Sequence, residues 1–399
     1  MRGTRVWSVG VAALVASAIV LGLGAPSASA SPQVVARKVL ATGVVYQQLN
    51  DGAYPIRMYV VTFDPGTRAT LDGVLSGSQI GSFQRTSAMG TSVGALAAVN
   101  GDLNDWPGRP THQYVSDGTI MQTGSRAGVS FGYRQDEKGA TIGHHPLRIS
   151  ATSKGATVAV SSWNTGGPTT DQVVGYSWYG GRYERPSVNQ CSARLVAPTA
   201  VRWNAGQIGT GRDYTVDAVR CSRTAAMAVD TASSVVLSAK LVGKGATFIK
   251  GLAVGATMHI GWSNDSPDAM DVVSGSALIV QGGVVQYGSS CNADLCQRAP
   301  RTAVGVTSAG RVIMLVVDGR SSGSVGFTLA QLGKEMKSLG AVNAVNLDGG
   351  GSATMWIKGL GVVNHPTDST GERPVSNALV VLPGADLSEP APLRPRAAI

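Results

Sequence analysis

The chain has 399 residues, of which 43% are hydrophobic and 14% charged, with 52 glycines and a formal net charge of +9. This composition is typical of a globular protein with a substantial core, and it excludes a disordered chain, a coiled coil and a small disulfide-stapled scaffold. The charge surplus is modest and contains no block of consecutive Lys or Arg, so it favours an anionic surface or polymer over nucleic acid as partner.

Residues 1–30 have the pattern of a secretory signal peptide. Arg2 and Arg5 form a basic start, residues 9–23 are apolar, and residues 28–30 read Ala-Ser-Ala, a small-residue cleavage site. The apolar run is shorter than the roughly 20 residues of a bilayer span, which disfavours the alternative of a membrane anchor. We therefore predict a secreted, extracellular chain with no membrane span after processing, and with the cell wall as candidate location.

Short β-like runs bounded by turn residues dominate the rest of the chain. We predict a β-rich N-terminal segment over 31–95 and a main domain over 96–382. The stretch at about 152–275 has the weakest periodicity and is predicted to be a β-rich insertion. Residues 385–399 contain three prolines and are predicted to form a loose tail.

Four cysteines in an exported chain predict disulfides rather than catalytic thiols. Of the three connectivities, sequence proximity favours Cys191 with Cys221 and Cys291 with Cys296. A zinc site is the alternative, but the spacing is not a repeated C-x-x-C and no histidine lies close in sequence to either pair.

The most informative stretch is 301–357. Residues 312–317 are continuously apolar, as in a strand buried on both faces. Thr328 and Gln331 form a helix capping box, and Gly340 occupies the position after the helix end. Residues 342–347 are a second apolar strand. Strand, helix and strand with short joins predict a βαβ unit over 312–347, within an α+β fold built on a mixed sheet.

Two aspartates follow these strands, Asp318 after the first and Asp348 after the second. Parallel strands end at one edge of a sheet, where open α/β sheets bind ligands, so the two carboxylates are predicted to lie together. Taken singly, each is equally consistent with a turn or cap residue. The triplet Gly349–Gly351 leaves backbone N–H groups free to approach an anion, with the hydroxyls of Ser352 and Thr354 nearby.

Five segments in the same order resemble the phosphodiester glycosidase family, strongly from about 298 to 382. They are RTAVG at 301–305, VDGR at 317–320, SVGFTL at 324–329, NLDGGGS at 346–352 and RPVSNAL at 373–379. A weaker resemblance reaches back to AAVNGD at 97–102. There the chain departs from the family pattern, with Leu103 and Asn104 where two aromatic residues are expected. Trp106 is either a replacement stacking face or an ordinary loop anchor.

The resemblance implies hydrolysis of a sugar-1-phosphodiester that leaves a phosphomonoester on the other partner. Asp348 is predicted to stabilise the oxocarbenium-like transition state, with Asp318 and Asp102 as base or positioning residues. Arg301 and Arg320 would hold the phosphate, while Asn100 and Asn346 would bind sugar hydroxyls. The predicted substrate-binding residues are Asn100, Arg301, Arg320, Asn346, Gly349, Gly350, Gly351, Ser352 and Thr354. A sugar-phosphate polymer of a cell wall or capsule is the predicted substrate and partner.

This chemistry requires no cofactor, and a calcium ion is the alternative that the sequence leaves open. Residues 100–105 place oxygen ligands at alternate positions, as at the start of a calcium loop. They lack the glycine at the sixth position and the glutamate at the twelfth.

Two other functions remain as alternatives. One is a non-catalytic exported module that binds wall glycans. The other is a serine hydrolase, because residues 319–323 match G-x-S-x-G, and Ser321, Asp348 and His365 occur in the order of an α/β-hydrolase triad. A nucleophile elbow turns directly into a helix, however, whereas the predicted helix begins only after Thr328.

Overall fold

A computed structural model describes residues 32–384 except 52–53, 68, 117, 134–138, 181–189, 198–210, 224–226, 228, 230, 264–270 and 289–296. The predicted signal peptide, the proline-rich tail and the pair Cys291 and Cys296 lie outside the described residues. No helix among those described has both the length and the apolar character needed to span a membrane.

Strands dominate every part of the described chain. The first part contains β1 (Gln33–Ala41), β2 (Val44–Asp51), β3 (Ile56–Phe63), β4 (Ala69–Leu75), α1 (Thr86–Ser92), β5 (Ala97–Asn100), β6 (Asn104–Asp105), β7 (Arg109–Pro110), β8 (Tyr114–Ser116), β9 (Thr119–Gln122), β10 (Val129–Tyr133) and β11 (Ala140–Gly143). The middle part contains β12 (Arg148–Ser153), β13 (Ala156–Trp163), β14 (Val173–Ser177), β15 (Gln190–Val196), β16 (Arg212–Ser222), β17 (Ser234–Lys240), α2 (Lys244–Lys250) and β18 (Thr257–Ser263). The last part contains β19 (Asp271–Gly275), β20 (Ala277–Gln281), β21 (Val284–Val285), β22 (Arg301–Thr307), β23 (Val312–Val317), α3 (Leu329–Ser338), β24 (Ala341–Asn346), β25 (Met355–Ile357), β26 (Gly361–Val362) and β27 (Asn377–Pro383).

The largest sheet has eight strands in the order β1-β2-β3-β23-β22-β24-β20-β21, and each neighbouring pair is antiparallel. Strands β23 and β24 run in the same direction and are joined through α3, as predicted. The two strands do not pair with each other, because β22 lies between them, and the sheet that holds them is antiparallel rather than mixed. The short connection through α3 crosses over one strand, and β22 pairs with its sequence neighbour β23 in an antiparallel hairpin.

The helix α3 has the predicted N-terminus. The Thr328 hydroxyl accepts a hydrogen bond from the Gln331 backbone N–H at 3.2 Å, and the Gln331 side chain accepts one from the Thr328 N–H at 3.0 Å. The helix buries Leu332 and Met336 against apolar residues of the eight-stranded sheet, such as Leu315. Burial of each such side chain contributes about 1.5–3 kcal/mol, which fixes the crossover against the sheet.

A second sheet, in the order β26-β25-β5-β27-β4, packs on the other face of the large sheet. Residues of both sheets, among them Val99, Leu379 and Met314, share one buried cluster. The outer face of the second sheet is covered by α1, where Met89 is fully buried. A five-stranded sheet in the order β11-β10-β19-β8-β9 adds Phe131 to the same core.

The strands β12 to β18 form a closed barrel with its own core, in the order β12-β13-β14-β17-β15-β16-β18. The chain leaves the five-stranded sheet after β11 and returns to it at β19. Most of the segment for which we predict an insertion is therefore this barrel. Cys191 and Cys221 are opposite each other on β15 and β16 and form the predicted disulfide.

Candidate active site

A cavity of about 270 Å³ lies at the edge of the large sheet where β23 and β24 end and β22 begins. Arg301, the first residue of β22, pairs with Val317 at the end of β23, and Ala303 pairs with Asn346 at the end of β24. The cavity is lined by Leu103, Ser276, Ala299, Arg301, Arg320, Asn346, Leu347, Asp348, Gly349, Gly350, Gly351 and Arg373. Strand direction thus brings seven of the predicted site residues into one cavity.

The glycine segment after β24 is held by main-chain contacts. The N–H of Asp348 donates to the carbonyl of Gly101 at 3.0 Å, and the N–H of Gly350 donates to the carbonyl of Pro300 at 2.8 Å. Gly350 has a φ of +60°, and a Cβ on Gly351 would collide with the side chains of Asp368 and Arg373. The backbone at Gly350 therefore favours glycine, whereas a side chain at Gly351 would have to displace the Asp368 and Arg373 side chains.

Asp348 lines this cavity and its carboxylate is held by protein hydrogen bonds. One of its oxygens accepts a hydrogen bond from the Gly349 N–H at 2.9 Å, and the other accepts one from the Asn104 amide at 3.3 Å. Burial raises the pKa of Asp348 to about 6, and the negative charge of Asp102 acts in the same direction. The hydrogen bonds of Ser352 and Gly349 partly oppose this rise in pKa. The carboxylate therefore changes its ionisation close to neutral pH, a property common among catalytic acids and bases.

Three arginines line the cavity beside Asp348. Arg301 is buried, and its guanidinium donates to the carbonyls of Phe327 at 3.1 Å and Gln297 at 2.6 Å. Burial, with the nearby charge of Arg320, lowers the pKa of Arg301 to about 10, so the group is charged at neutral pH. Together with Arg373, these residues form a positive lining that suits a phosphodiester anion.

Asn346 is at the end of β24 and lines the same cavity. Its amide nitrogen donates to the Ser276 hydroxyl at 2.9 Å and to the Leu347 carbonyl at 2.8 Å. Its side-chain oxygen is buried and has no partner among the described residues. A buried acceptor without a donor is costly, so a ligand hydroxyl would complete its hydrogen bonding.

Asn100, Ser352 and Thr354 lie behind the cavity and are outside its lining. The Asn100 amide donates to the Asp348 carbonyl at 2.7 Å, and its oxygen accepts from the Thr302 hydroxyl at 2.7 Å and from the Thr354 N–H at 3.1 Å. The side chain is fully buried. These bonds hold the main chain on either side of the glycine segment.

Asp318 is also outside the cavity lining, and it supports His365. Its oxygens are within 2.8 Å of His365 Nδ1, 2.8 Å of the His365 N–H and 3.0 Å of the Tyr59 hydroxyl. The carboxylate is buried, whereas the imidazole is 67% exposed. The partner of His365 is therefore Asp318 and not Asp348. The Ser321 hydroxyl donates to the Ser324 carbonyl at 3.2 Å. This arrangement differs from the Ser321, Asp348 and His365 triad of the serine-hydrolase alternative.

Asp102 forms a second buried pair, with His112. Its oxygens are 2.6 Å from both His112 Nδ1 and the His112 N–H, and one of them accepts from the Leu103 N–H at 2.8 Å. Burial raises the pKa of Asp102, although the His112 contacts oppose the rise. The pair closes the loop that carries Leu103 to the cavity and Asn104 to Asp348.

The oxygens with calcium-loop spacing accept hydrogen bonds from protein groups. Asn104 accepts from the Ser376 N–H at 2.6 Å, and Asp105 accepts from the hydroxyls of Thr111 at 3.2 Å and Ser125 at 2.6 Å. These residues therefore do not fit a loop that wraps a cation. Across the described ranges, no three His, Cys, Asp or Glu side chains cluster as metal ligands.

Several site residues were not predicted from the sequence. Arg373 belongs to one of the family-like segments, and its position there was the signal that could have identified it. Asn104 was noted as a departure from the family pattern and within the calcium-like spacing of residues 100–105, and not as a neighbour of Asp348. Leu103, Ser276 and Ala299 carry no chemical signal, because tertiary contacts alone bring them to the cavity.

Comparison with protein families gives a match in the C-terminal part of the chain. Residues 222–382 match the phosphodiester glycosidase family. The chain is 38% identical over 89 residues to the SPbeta prophage-derived uncharacterized protein YomE of Bacillus subtilis, covering 22% of this chain and 14% of that protein. It is 40% identical over 68 residues to the N-acetylglucosamine-1-phosphodiester alpha-N-acetylglucosaminidase of Bos taurus, covering 17% of this chain and 12% of that protein. The matches therefore span only a small part of these relatives.

A solved structure shares the fold over a longer range. It is that of a hypothetical protein from Synechocystis, with a TM-score of 0.66 and 18% sequence identity. The alignment covers 86% of this chain and 62% of that one. At this identity the likeness is one of fold.

Proposed function

We propose that the protein hydrolyses a sugar-1-phosphodiester, and the match of residues 222–382 to the phosphodiester glycosidase family supports this reaction. The reaction breaks the bond between the anomeric carbon and the bridging oxygen. Water supplies the new anomeric hydroxyl, and the other partner keeps a phosphomonoester. The observation that carries the proposal is the carboxylate of Asp348 beside three arginines in one cavity.

The arginines and the glycine segment would bind the phosphate. A phosphodiester carries one negative charge, and guanidinium groups form forked hydrogen bonds to its oxygens. Arg301 is held in place by two backbone carbonyls, so little conformational entropy is lost when it binds an anion. Arg320 and Arg373 would complete the positive lining, with backbone N–H groups of Gly349–Gly351 as further donors.

Asp348 would act as an ionised carboxylate at the anomeric carbon. Cleavage of the glycosidic bond builds positive charge on the sugar ring, which a carboxylate stabilises either as a nucleophile or as the base that activates water. Phosphate is a good leaving group, so no separate acid is needed to protonate the departing oxygen. The raised pKa of Asp348 keeps its basicity suited to accepting a proton from water.

The other predicted residues would position these groups. Asn346 would accept a hydrogen bond from a sugar hydroxyl through its unpaired oxygen. Asp318 would orient His365 at the same edge of the sheet, and Asp102 would hold the loop that bears Asn104 through His112. Asp318 and Asp102 are buried and would act through their histidines.

The proposed substrate is a sugar-phosphate polymer outside the cell. Three observations support this choice: the signal-peptide pattern of residues 1–30, the disulfide between Cys191 and Cys221, and the net positive charge. Disulfides form in oxidising compartments, and a positive protein is attracted to a phosphate-rich glycan.

The test is product analysis on a panel of sugar-1-phosphodiesters. We expect the purified protein to release free sugar and phosphomonoester in equal amounts, and Asp348→Ala to release neither. Asp213→Ala, an exposed aspartate on the barrel, is the matched control and should behave as wild type. If folded wild-type protein binds the substrates without turnover, the non-catalytic wall-binding function would replace this proposal.

A further inference from the structure

An exposed aromatic pair is formed by Phe83 and Trp106. Strands β6 and β7 form a short hairpin, and Trp106 lies at its tip with 86% of its surface exposed. Its ring centroid is 6.1 Å from that of Phe83, with the ring planes tilted by 38°. Tryptophan side chains are largely buried on average, so this one does not act as a loop anchor.

The hairpin connects this pair directly to the site. Its first residue, Asn104, donates to Asp348, and the preceding Leu103 lines the cavity. Two residues of a strand span about 7 Å, so Trp106 is that far along the chain from Asn104. The α-carbon of Trp106 therefore lies within about 7 Å of that of Asn104, a residue that contacts Asp348.

Phe83 is linked to Asn104 through its neighbour in the chain. Gln84 and Val375 form a β-bridge, with N–H to carbonyl distances of 3.0 and 2.9 Å. Ser376, the next residue, donates its N–H to Asn104 at 2.6 Å. The segment formed by Val375 and Ser376 is therefore hydrogen-bonded to Gln84 on one side and to Asn104 on the other.

The tip of the hairpin is held in place by polar contacts. The Gly108 N–H donates to the Asp105 carbonyl at 2.9 Å, and the Gly81 N–H donates to the Gly108 carbonyl at 3.2 Å. The Asp105 carboxylate accepts from Thr111 at 3.2 Å and Ser125 at 2.6 Å. A surface that is already ordered loses less entropy on binding than a mobile one.

We propose that Phe83 and Trp106 form a stacking subsite for a further sugar unit of a phosphodiester-linked glycan. This inference rests on the proposed function and names its substrate class as an oligosaccharide or polymer rather than a small diester. A pyranose ring places its C–H face on an aromatic ring and keeps its hydroxyl edges in water, which suits side chains that are exposed on one face. The three arginines supply the charge complement for the linkage, and the aromatic pair supplies the face for the neighbouring ring.

The test compares two substrates, a methyl sugar-1-phosphodiester and a phosphodiester-linked oligosaccharide of the same sugar. We expect Trp106→Ala to lower kcat/KM on the oligosaccharide about tenfold more than on the methyl diester, mainly through KM, as expected for the loss of one stacked aromatic ring. Phe83→Ala should give a smaller selective loss, and Trp106→Phe should restore most of the activity. Val254→Ala, an exposed apolar residue on the barrel side of the chain, is the control and should change neither substrate. Equal losses on both substrates, or no loss, would overturn the subsite.

A binding measurement separates this inference from the proposed function. Calorimetry with the oligosaccharide uses Asp348→Asn alone and Asp348→Asn combined with Trp106→Ala. Weaker binding by the double variant than by Asp348→Asn alone supports the subsite. Absence of turnover by the wild type would count against the proposed function and would leave this binding result standing. Sedimentation of the two variants tests whether a second copy of the chain covers the aromatic pair instead. If adding Trp106→Ala converts a dimer into a monomer and leaves oligosaccharide binding unchanged, the pair is a contact between two copies of the chain, and the subsite is overturned.

Discussion

The side-chain amide of Asn104 donates a hydrogen bond of 3.3 Å to the carboxylate of Asp348. The phosphodiester glycosidase pattern places an aromatic residue where this chain has Asn104. The departure therefore brings a polar donor to the candidate catalytic group. A donor to a carboxylate favours its charged form and lowers its pKa, so we expect Asn104 to oppose the effect of burial on Asp348.

The first prediction concerns the pH dependence of activity. The account needs Asp348 ionised, and its pKa is raised to about 6. We therefore expect kcat/KM on a sugar-1-phosphodiester to rise with pH through about 6 and then to level off, since the phosphodiester keeps its single charge over this range. The measurement is kcat/KM between pH 4.5 and 8. A fall in activity through pH 6 would mean that Asp348 acts as an acid.

Substitution of Asn104 should shift that profile. In Asn104→Asp, a second carboxylate replaces the donor, and repulsion between the two charges should raise the midpoint of the rise by about one pH unit or more. Asn104→Leu removes the donor without adding a charge and should raise the midpoint by less. Asn343→Asp, on the same strand as Asn346 but bonded to the Gly282 N–H, is the matched control. A midpoint that stays constant in all three variants would show that Asn104 does not act on Asp348.

The stability of the protein should depend on Asp348 with a definite sign. Its pKa is about 6 in the folded protein and 3.8 as the ordinary value, so the folded state holds more protons between these limits. The free energy of unfolding contributed by this group is therefore favourable at low pH and is lost as pH rises through 6. Asp348→Asn has no carboxyl group to ionise and does not undergo this loss. We expect the free energy of unfolding of the variant, relative to that of the wild type, to increase by up to about 3 kcal/mol between pH 4 and pH 7.5, as measured by urea unfolding. A difference that does not change with pH would contradict the raised pKa.

Replacement of Arg301 by Lys tests the phosphate-binding role. The guanidinium of Arg301 donates to two backbone carbonyls and still lines the cavity, whereas an ammonium is a point charge that lacks the planar fork. We expect Arg301→Lys to lower kcat/KM about 100-fold, equivalent to about 3 kcal/mol of lost transition-state binding. Arg311→Lys, whose guanidinium pairs with Asp64 on the surface, should retain full activity. Similar activities of the two variants would remove Arg301 from the site.

Local patterns in the sequence predicted the elements that place the site. The capping residues Thr328 and Gln331 defined the start of α3, and the apolar runs defined β23 and β24. The shared direction of these strands was enough to bring Asp348 to the edge where Arg301 lies. The pairing partners of β23 and β24 were not predictable, because a helical connection of this length can join two adjacent parallel strands or two parallel strands with a third strand between them.

The side chains that support the site were harder to predict. Asp318 and Asp102 were predicted as base or positioning residues, but their histidine partners are set by tertiary contacts, at a separation of 47 residues for Asp318 and His365. Asn100 appeared suited to bind a sugar, but its burial assigns its amide to the backbone of Asp348. Hydrogen-bonding capacity is visible in a sequence, whereas the question of which group uses it depends on packing.

The central claim is that the bond from the anomeric carbon to oxygen breaks, and isotope labelling tests it most directly. A sugar-1-phosphodiester would be hydrolysed by the wild-type protein in water enriched in oxygen-18, and both products would be analysed by mass spectrometry. The account predicts that the label enters the released sugar and that the phosphomonoester stays unlabelled. Label in the phosphate would show cleavage between phosphorus and oxygen, and would contradict the glycosidase mechanism at this site.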